Sequence, residues 1–282
     1  MIALPALLCL SAAALAGSGK KRPMNIYIFA DMEGISGITS REFVKTDGRF
    51  YEKGRRCYTW DINACVEGCF EAGAHAVIVR DGHSTGRAAV LSELDPRAEI
   101  IQGPTLERMR RIRECDAVIL LGYHAMNHTP DGFLNHTYSS KTVDNMWLNS
   151  RLAGEIGIDA GIVSDYGLPV IMVSGDDKAC TEAAEWIPGV VTCRVKEGLA
   201  RESARTMPLR KAYALIRERT VDAIGRIGIA RPVEISRSVT IRKQMYERIG
   251  IPDASRRPDI RRIDERTAEA TSETVEKAFL WQ

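Results

Sequence analysis

After Met24 the chain alternates short apolar runs with longer stretches of helical periodicity, and this alternation limits the fold more than any other feature. Apolar runs of about four to eight residues bounded by turn formers are typical of strands buried on both faces of a sheet. Strands that alternate with helices predict a mostly parallel sheet flanked by helices, so the predicted fold class is α/β. The predicted strands span residues 25–30, 75–80, 98–102, 117–121, 169–173 and 190–195. The predicted helices span residues 51–72, 106–114, 152–164, 178–187 and 208–227.

Two segments depart from this alternation. Residues 122–149 are dense in Gly, Pro, Asn and Asp, which predicts loops or an antiparallel hairpin that projects from the sheet. Beyond residue 228 the predicted elements are a strand at 232–241, a turn-rich stretch at 252–258, another short strand within 260–270 and a closing helix at 272–280. We therefore expect an α/β domain at 24–228 and a smaller α+β unit at 229–282.

The first 23 residues differ in composition from the rest of the chain. An almost wholly apolar stretch at 2–16 ends in Ala14-Leu15-Ala16, which resembles the cleavage site of a secretory signal peptide, and it is too short to anchor the chain in a bilayer. These features predict a signal peptide at 1–23 and an exported protein, periplasmic or extracellular, without a stable membrane anchor. The alternative is a cytoplasmic protein that starts at Met24, since the stretch begins without the basic residues of a signal peptide.

The charge balance excludes some classes of partner. With 39 basic and 37 acidic residues, the net charge of +2 gives no field that would recruit nucleic acid or an anionic membrane. Seven scattered cysteines match neither a disulfide-rich scaffold nor a zinc ribbon of paired cysteines. A metal or ligand site would therefore use other side chains.

Two carboxylates follow the first predicted strand. Asp31 and Glu33 stand one residue apart directly after residues 25–30, and side chains at i and i+2 of an extended segment point to the same side. They would lie about 7 Å apart along the backbone, close enough to converge on one cation or on a pair of cations. The alternative is an acidic turn or helix cap that binds no metal.

Two histidines and a third carboxylate follow later strands. His83 and His124 come directly after predicted strands, and Glu155 lies near the start of a predicted helix. In an open parallel sheet, functional groups gather beyond the carboxyl ends of the strands. These three residues are therefore predicted to meet Asp31 and Glu33 in one crevice.

The donor types indicate the metal and the chemistry. Carboxylates combined with imidazoles suit Zn²⁺, Mn²⁺ or Co²⁺ better than Ca²⁺, and the absence of cysteine ligands argues against a purely structural zinc site. Two such ions about 3.5 to 4 Å apart, bridged by one carboxylate, would polarise a carbonyl and acidify a shared water, which is the chemistry of hydrolysis. Each residue also has an ordinary structural alternative: His83 as a hydrogen-bonding loop residue, His124 as a core histidine, and Glu155 as a carboxylate at a helix N-terminus.

His136 and Asp81 are assigned other roles. His136 lies downstream of His124 in the irregular segment, so the segment that supplies a ligand would return this imidazole to the metals as a base, acid or nucleophile. The alternative is a surface histidine on a hairpin. Asp81, two residues before His83, is interpreted as a partner that orients a ligating imidazole.

Several blocks of the sequence closely resemble, in the same order, the bacterial zinc-dependent D-aminopeptidases associated with dipeptide transport. The resemblance covers roughly residues 24–196 and is looser beyond them. The blocks are ADMEGISG at 30–37, YEKGR at 51–55, DGHS at 81–84, GYHA at 122–125, GEIG at 154–157 and SGDD at 174–177.

The resemblance implies a site, an activity and an assembly. The implied ligands of two Zn²⁺ ions per subunit are Asp31, which bridges both ions, Glu33 and His83 on one ion, and His124 and Glu155 on the other. His136 matches the family's catalytic histidine, described as the nucleophile. The implied activity is a metallo-aminopeptidase in the α/β domain that removes N-terminal D-amino acids, D-alanine above all, from short peptides. The implied assembly is a homo-oligomer, a ring-like decamer that encloses the active sites.

Two other functions fit the residues alone. A metal-dependent amidase or esterase would use the same scaffold and ligands, since these do not fix the acyl group of the substrate. A non-catalytic peptide-binding assembly would keep the metals for structure, although the presence of His136 disfavours it.

Overall fold

The computed structural model describes residues 23–248 and 258–280. The predicted signal peptide lies outside this part of the chain except for its last residue, and so does the predicted turn-rich stretch at 252–258 except for Pro258. None of the helices in the described part is both long enough and apolar enough to cross a membrane.

A six-stranded parallel sheet lies at the centre of the molecule, which confirms the predicted α/β fold class. In chain order the strands are β1 (Asn25–Ala30), β2 (Ala76–Asp81), β3 (Glu99–Ile101), β4 (Ala117–Tyr123), β5 (Val143–Leu148), β6 (Arg151–Leu152), β7 (Val170–Gly175), β8 (Val191–Arg194), β9 (Lys196–Ala200), β10 (Ser203–Thr206), β11 (Val239–Met245), β12 (Ile260–Arg262) and β13 (Thr267–Ser272). The parallel sheet has the order β3-β2-β1-β4-β7-β8, and each of its strands begins and ends within two residues of the prediction.

The position of β1 in this sheet determines where a site can form. The chain runs outward from β1 to β2 and β3, then returns to β4 on the opposite side of β1. The connections after β1 and β4 therefore leave the sheet in opposite directions. Such a switch point opens a crevice at the carboxyl ends of the two strands.

Helices cover both faces of the parallel sheet. They are α1 (Tyr51–Glu71), α2 (Glu155–Asp165), α3 (Asp177–Trp186), α4 (Leu209–Gly225) and α5 (Val275–Phe279). Ile26 and Ile28 of β1 pack in the core that holds α1 and α4, whereas Tyr27 and Phe29 pack in the core that holds α2 and α3. This division follows from the alternation of side chains along a strand.

Two predicted helices differ from the structure. The helix predicted at 106–114 is absent apart from a short 3-10 turn at Ile112–Glu114, because the preceding Arg111 adopts a left-handed φ of 68° and interrupts helical geometry. The helix predicted at 152–164 begins only at Glu155, because Arg151 and Leu152 pair with β5 as the short strand β6.

A second, antiparallel sheet has the order β12-β13-β11-β5-β6. Loops or a hairpin are predicted for residues 122–149, and this segment contains one complete strand, β5. β5 pairs with the neighbouring β6, but its longer pairing is with the distant β11. The strand predicted at 232–241 begins at Val239 and runs on to Met245. The C-terminal segment thus shares one sheet with β5 and β6, and the division at residue 228 stays a prediction.

Candidate metal centre

The end of the central strand β1 fixes the first two carboxylates. The Asp31 N–H donates to the carbonyl of Leu121 at 2.8 Å, which continues the parallel pairing with β4 by one residue. Glu33 lies in the turn that follows, and both carboxylates are buried. At Gly34 an added Cβ would lie 1.9 Å from the carbonyl oxygen of Tyr123, so only glycine allows the turn to approach β4 this closely.

His83 meets these carboxylates from the turn after β2. Its Nδ1 lies 3.1 Å from Asp31 Oδ1 and 3.1 Å from Glu33 Oε2. Its Nε2 donates to the carbonyl oxygen of Val44 at 2.9 Å. Nδ1 is therefore the nitrogen available to a cation, and a backbone carbonyl holds the ring as it does in many metal-ligating histidines.

His124 and Glu155 approach Asp31 from the other side. His124 Nδ1 donates to the carbonyl of Ala125 at 2.9 Å, which leaves Nε2 at 3.4 Å from Asp31 Oδ2 and 3.2 Å from Glu155 Oε1. Glu155 is the first residue of α2, and its Oε1 accepts the backbone N–H of Tyr138 at 2.7 Å. The two carboxylate oxygens of Asp31 thus face two different imidazoles.

His136 joins this second group from the segment between β4 and β5. Its Nδ1 donates to the carbonyl of Leu134 at 2.8 Å, and its Nε2 lies 3.8 Å from Glu155 Oε1. The ring stacks on His124 with centroids 4.0 Å apart. Leu134 and Tyr138, two residues to either side, have φ angles of 48° and 57°, a left-handed conformation that is uncommon outside glycine.

The structure brings together the six side chains predicted as metal ligands or as the catalytic histidine. They form two adjacent groups, and within each group the potential donor atoms lie within 4.8 Å of one another. The groups are Asp31, Glu33 and His83, and His124, His136 and Glu155. Glu33 Oε2 and His124 Nε2 are buried without a hydrogen-bond partner in the described structure. Because unpaired buried polar atoms are costly and a cation would satisfy both, the residues present fit a pair of divalent ions; their individual roles stay a prediction.

The charges of these groups depend strongly on one another. Burial raises the pKa of the Glu33 carboxyl, but His83 outweighs burial and holds this pKa well below its ordinary range. Burial lowers the pKa of the His124 imidazole, but the neighbouring Glu155 carboxylate raises it to about 10. The carboxylates therefore stabilise the protonated form of the neighbouring imidazoles. A bound cation would replace the protons of these imidazoles.

An ion-pair network that the sequence did not predict supports Glu155. The Arg108 guanidinium donates to Asp159 Oδ2 at 2.7 Å and lies 3.6 Å from Glu155 Oε2. Asp159 also accepts from the hydroxyls of Tyr123 at 2.6 Å and Tyr138 at 3.2 Å. The one sequence signal that could have indicated part of this network is the spacing of Glu155 and Asp159, four residues apart on one helix face.

Asp81 does not orient His83, so that interpretation is wrong. Its carboxylate accepts from the Tyr58 hydroxyl at 3.2 Å, the Ala89 N–H at 2.8 Å and Gln102 Nε2 at 3.0 Å. These bonds tie the end of β2 to α1 and to the chain on either side of β3. A backbone carbonyl holds the imidazole instead.

The candidate metal centre opens into a cleft of about 1290 Å³. The carboxyl ends of β1 and β2 form one wall. The antiparallel sheet and α5 contribute Met146, Lys243, Met245 and Phe279 to its lining. This volume is ample for a short peptide, since pockets for small ligands measure about 300 to 1,000 Å³.

The chain is similar to known D-aminopeptidases. The sequence model of peptidase family M55, described as D-aminopeptidase, matches residues 24–282. A D-aminopeptidase of Bacillus subtilis (strain 168) is 36% identical over 205 residues, which cover 71% of this chain and 74% of the relative. The solved structure of a zinc-dependent D-aminopeptidase, DppA from Bacillus subtilis, described as a self-compartmentalizing protease, matches with a TM-score of 0.85 and 30% identity over 91% of this chain and 94% of that one.

Proposed function

We propose that this chain, which belongs to the M55 family of D-aminopeptidases, removes N-terminal D-amino acids, D-alanine above all, from short peptides at a dinuclear zinc centre. The family makes the chain a metallo-aminopeptidase, so the resemblance seen in the sequence is confirmed. The observation that carries the finer proposal is Asp31, whose two oxygens lie 3.1 Å from His83 Nδ1 and 3.4 Å from His124 Nε2.

The proposed ligand set follows from which atoms face one another. Asp31 would bridge the two ions, because its two oxygens point to different groups. Glu33 and His83 would complete one ion, and His124 and Glu155 the other. When bound, the zinc ions would polarise the scissile carbonyl and lower the pKa of the attacking water.

We propose that His136 transfers a proton from the attacking water to the leaving amine. Its Nδ1–H is committed to the Leu134 carbonyl, so Nε2 is the nitrogen available in the cleft. From this position Nε2 would accept a proton during attack and return it to the leaving amine. Direct attack by the imidazole, which the family resemblance implies, would use the same atom. The stack on His124 holds the ring, so little rotational freedom would be lost when substrate binds.

A homo-oligomer, up to a ring-like decamer, is proposed for the assembly. A similar solved structure is described as a self-compartmentalizing protease, and such an enclosure requires several subunits. Analytical ultracentrifugation of the purified chain measures the assembly, and a monomer at micromolar concentration would contradict it.

The activity is tested on purified protein with paired D- and L-alanyl dipeptides and with elemental analysis of the metal. We expect two zinc ions per chain, faster hydrolysis of the D-peptide, loss of turnover with a chelator and its return with zinc. A simple D-alanyl amide and ester, assayed in parallel, identify an amidase or esterase. One ion or fewer per chain after zinc reconstitution would contradict the dinuclear centre, and equal rates on D- and L-peptides would contradict the stereochemical preference.

A further inference from the structure

Arg80 is a buried cation that lines the cleft without an acidic partner. The residue is 7% exposed, and no carboxylate of the described chain forms an ion pair with its guanidinium. Burial lowers the pKa of this guanidinium, although arginine stays protonated in proteins. A buried charge is normally paired with a carboxylate through hydrogen bonds, but the adjacent Asp81 carboxylate bonds to Tyr58, Ala89 and Gln102, so Arg80 has no such partner in the described structure.

Only one of the three guanidinium nitrogens of Arg80 forms hydrogen bonds in the described structure. Nη1 donates to the carbonyls of Gly103 at 2.7 Å and Ile101 at 3.3 Å, which fixes the plane of the guanidinium. Nε is buried and has no partner in the described structure. A guanidinium whose plane is fixed and whose Nη2 forms no hydrogen bond in the described structure can donate to a carboxylate that enters the cleft.

Arg80 lies near the proposed zinc centre but outside it. It pairs in register with Phe29, which lies two residues before Asp31 on the neighbouring strand. The rise along a strand and the spacing between strands put the Cα atoms of Arg80 and Asp31 about 8 Å apart. A peptide residue spans at most about 3.6 Å, so Arg80 is placed to meet a group one or two residues away from a carbonyl held at the zinc centre.

The other buried arginine of this wall is already compensated. The Arg108 guanidinium lies 4.7 Å from the centroid of the Phe29 ring, but it is paired with Asp159 and lies 3.6 Å from Glu155. Of these two arginines, only Arg80 has no carboxylate partner among the described residues.

We propose that Arg80 binds a carboxylate of the substrate on the leaving-group side of the scissile bond. The carboxylate is either the C-terminus of a dipeptide or tripeptide or the side chain of an acidic residue after the scissile bond. This inference rests on the proposed peptidase function and adds a determinant of specificity to it. A peptide without such a carboxylate would leave Arg80 buried and unpaired, and it would bind less well.

The wild-type enzyme gives the first test through three substrates. They are D-alanyl-D-alanine, D-alanyl-D-alaninamide and the α-amide of D-alanyl-D-glutamic acid. We expect kcat/KM for the alaninamide to be at least about tenfold below that for D-alanyl-D-alanine, since a hydrogen bond to a charged group is lost. If kcat/KM for the α-amide of D-alanyl-D-glutamic acid is as low as that for the alaninamide, Arg80 binds the C-terminal carboxylate. If it is as high as that for D-alanyl-D-alanine, Arg80 binds the carboxylate of the glutamate side chain. Equal kcat/KM values for all three overturn the proposal.

Arg80→Gln tests the residue itself. We expect this variant to raise KM for D-alanyl-D-alanine at least about tenfold and to leave kcat/KM for the alaninamide within about twofold. Arg41→Gln is the matched control, because Arg41 lines the same cleft but is exposed and paired with Glu202. An equal loss on the acid and the amide would mean that Arg80 only supports the backbone at residues 101–103, and it would overturn the proposal.

A binding measurement separates this inference from the peptidase function. The ligands are an analogue of D-alanyl-D-alanine in which CH₂–NH replaces the peptide bond, and its C-terminal amide, titrated by calorimetry into the zinc-loaded full-length chain. We expect the acid to bind at least about tenfold more tightly than the amide, and Arg80→Gln to abolish the difference. Equal binding, or no binding of either ligand, overturns the carboxylate site. A retained preference for the acid in a protein that hydrolyses no D-peptide contradicts only the proposed function.

Discussion

The imidazoles of His124 and His136 lie face to face, with ring planes 12° apart, and each ring donates its Nδ1–H to a backbone carbonyl. Both Nε2 atoms consequently point toward Glu155 Oε1, at 3.2 Å from His124 and 3.8 Å from His136. The shorter distance, together with the contact to Asp31, favours His124 as the ligand of this pair. His136 is left for proton transfer, and this division of roles is testable.

His136→Ala is expected to retain both zinc ions and to lose most turnover. Removal of a general acid–base group costs about 10² to 10⁴ in rate. The measurements are kcat on the best D-peptide and the zinc content of the same sample. His128→Ala is the control, because His128 is an exposed histidine of the same segment that pairs with Asp144.

Two outcomes would contradict the role of His136. A nearly normal kcat shows that the imidazole takes no part in the reaction. Loss of one zinc ion moves His136 from the catalytic group to the ligands, a change that its place beside His124 and Glu155 makes geometrically reasonable.

Asp31→Ala is expected to lose zinc as well as activity. Removal of a carboxylate that bridges two ions would weaken both sites and leave two cations with less negative charge between them. Elemental analysis after zinc reconstitution should find less than one ion per chain. Glu202→Ala, an exposed carboxylate that lines the same cleft, should keep both ions. Two ions retained by the Asp31 variant would refute the bridge.

Asp61 predicts a pH dependence of stability that can be separated from the metals. Its carboxylate accepts the backbone N–H of Ser36 at 2.8 Å and the Ser36 hydroxyl at 2.6 Å, yet burial raises its pKa from 3.8 to about 6. The folded chain thus binds more protons than the unfolded chain between these values. The contribution of Asp61 to the free energy of unfolding is full below pH 3.8 and is lost as the pH rises through about 6.

Asp61→Asn should remove this loss. The free energy of unfolding of the variant and of the wild type is measured by urea denaturation at each pH. The value for the variant minus the value for the wild type should increase between about pH 4 and pH 6. Asp95→Asn serves as the control, because a hydrogen bond from Arg97 lowers the pKa of Asp95 below 3.8 and the difference between this variant and wild type should stay nearly constant over this pH range. A difference between Asp61→Asn and wild type that does not change with pH would show that Asp61 titrates normally.

Export is predicted from the apolar stretch at 2–16 and from Ala14-Leu15-Ala16. N-terminal sequencing of the protein from its native host tests this directly. We expect a mature terminus at Gly17 in the periplasm or medium. A cytoplasmic product that starts at Met24 would refute export.

Much of the candidate site could be predicted because it depends on regular strands. Asp31, Glu33, His83 and His124 each follow a strand of the parallel sheet, and the carboxyl ends of neighbouring parallel strands meet at one edge. Sequence order and strand polarity therefore carry enough information to bring these side chains together. The same argument explains why the boundaries of the central strands agree with the prediction.

The remaining features depend on contacts between distant segments. The carbonyls of Val44, Ala125 and Leu134 that set the three imidazole orientations belong to loops whose backbone no periodicity describes. The segment before Ile112 has helical composition, but Arg108 instead reaches across the molecule to Asp159. Tertiary pairing of this kind overrides local propensity and leaves no local trace in the sequence.

The antiparallel sheet has a consequence for the order of events during synthesis. All five proposed zinc ligands have been translated once Glu155 is made, but β11, which contributes Lys243 and Met245 to the cleft lining, is translated about ninety residues later. A nascent chain therefore carries the proposed zinc ligands and His136 before the residues of β11 that line the cleft are made. We therefore expect substrate binding only after nearly the whole chain has been translated.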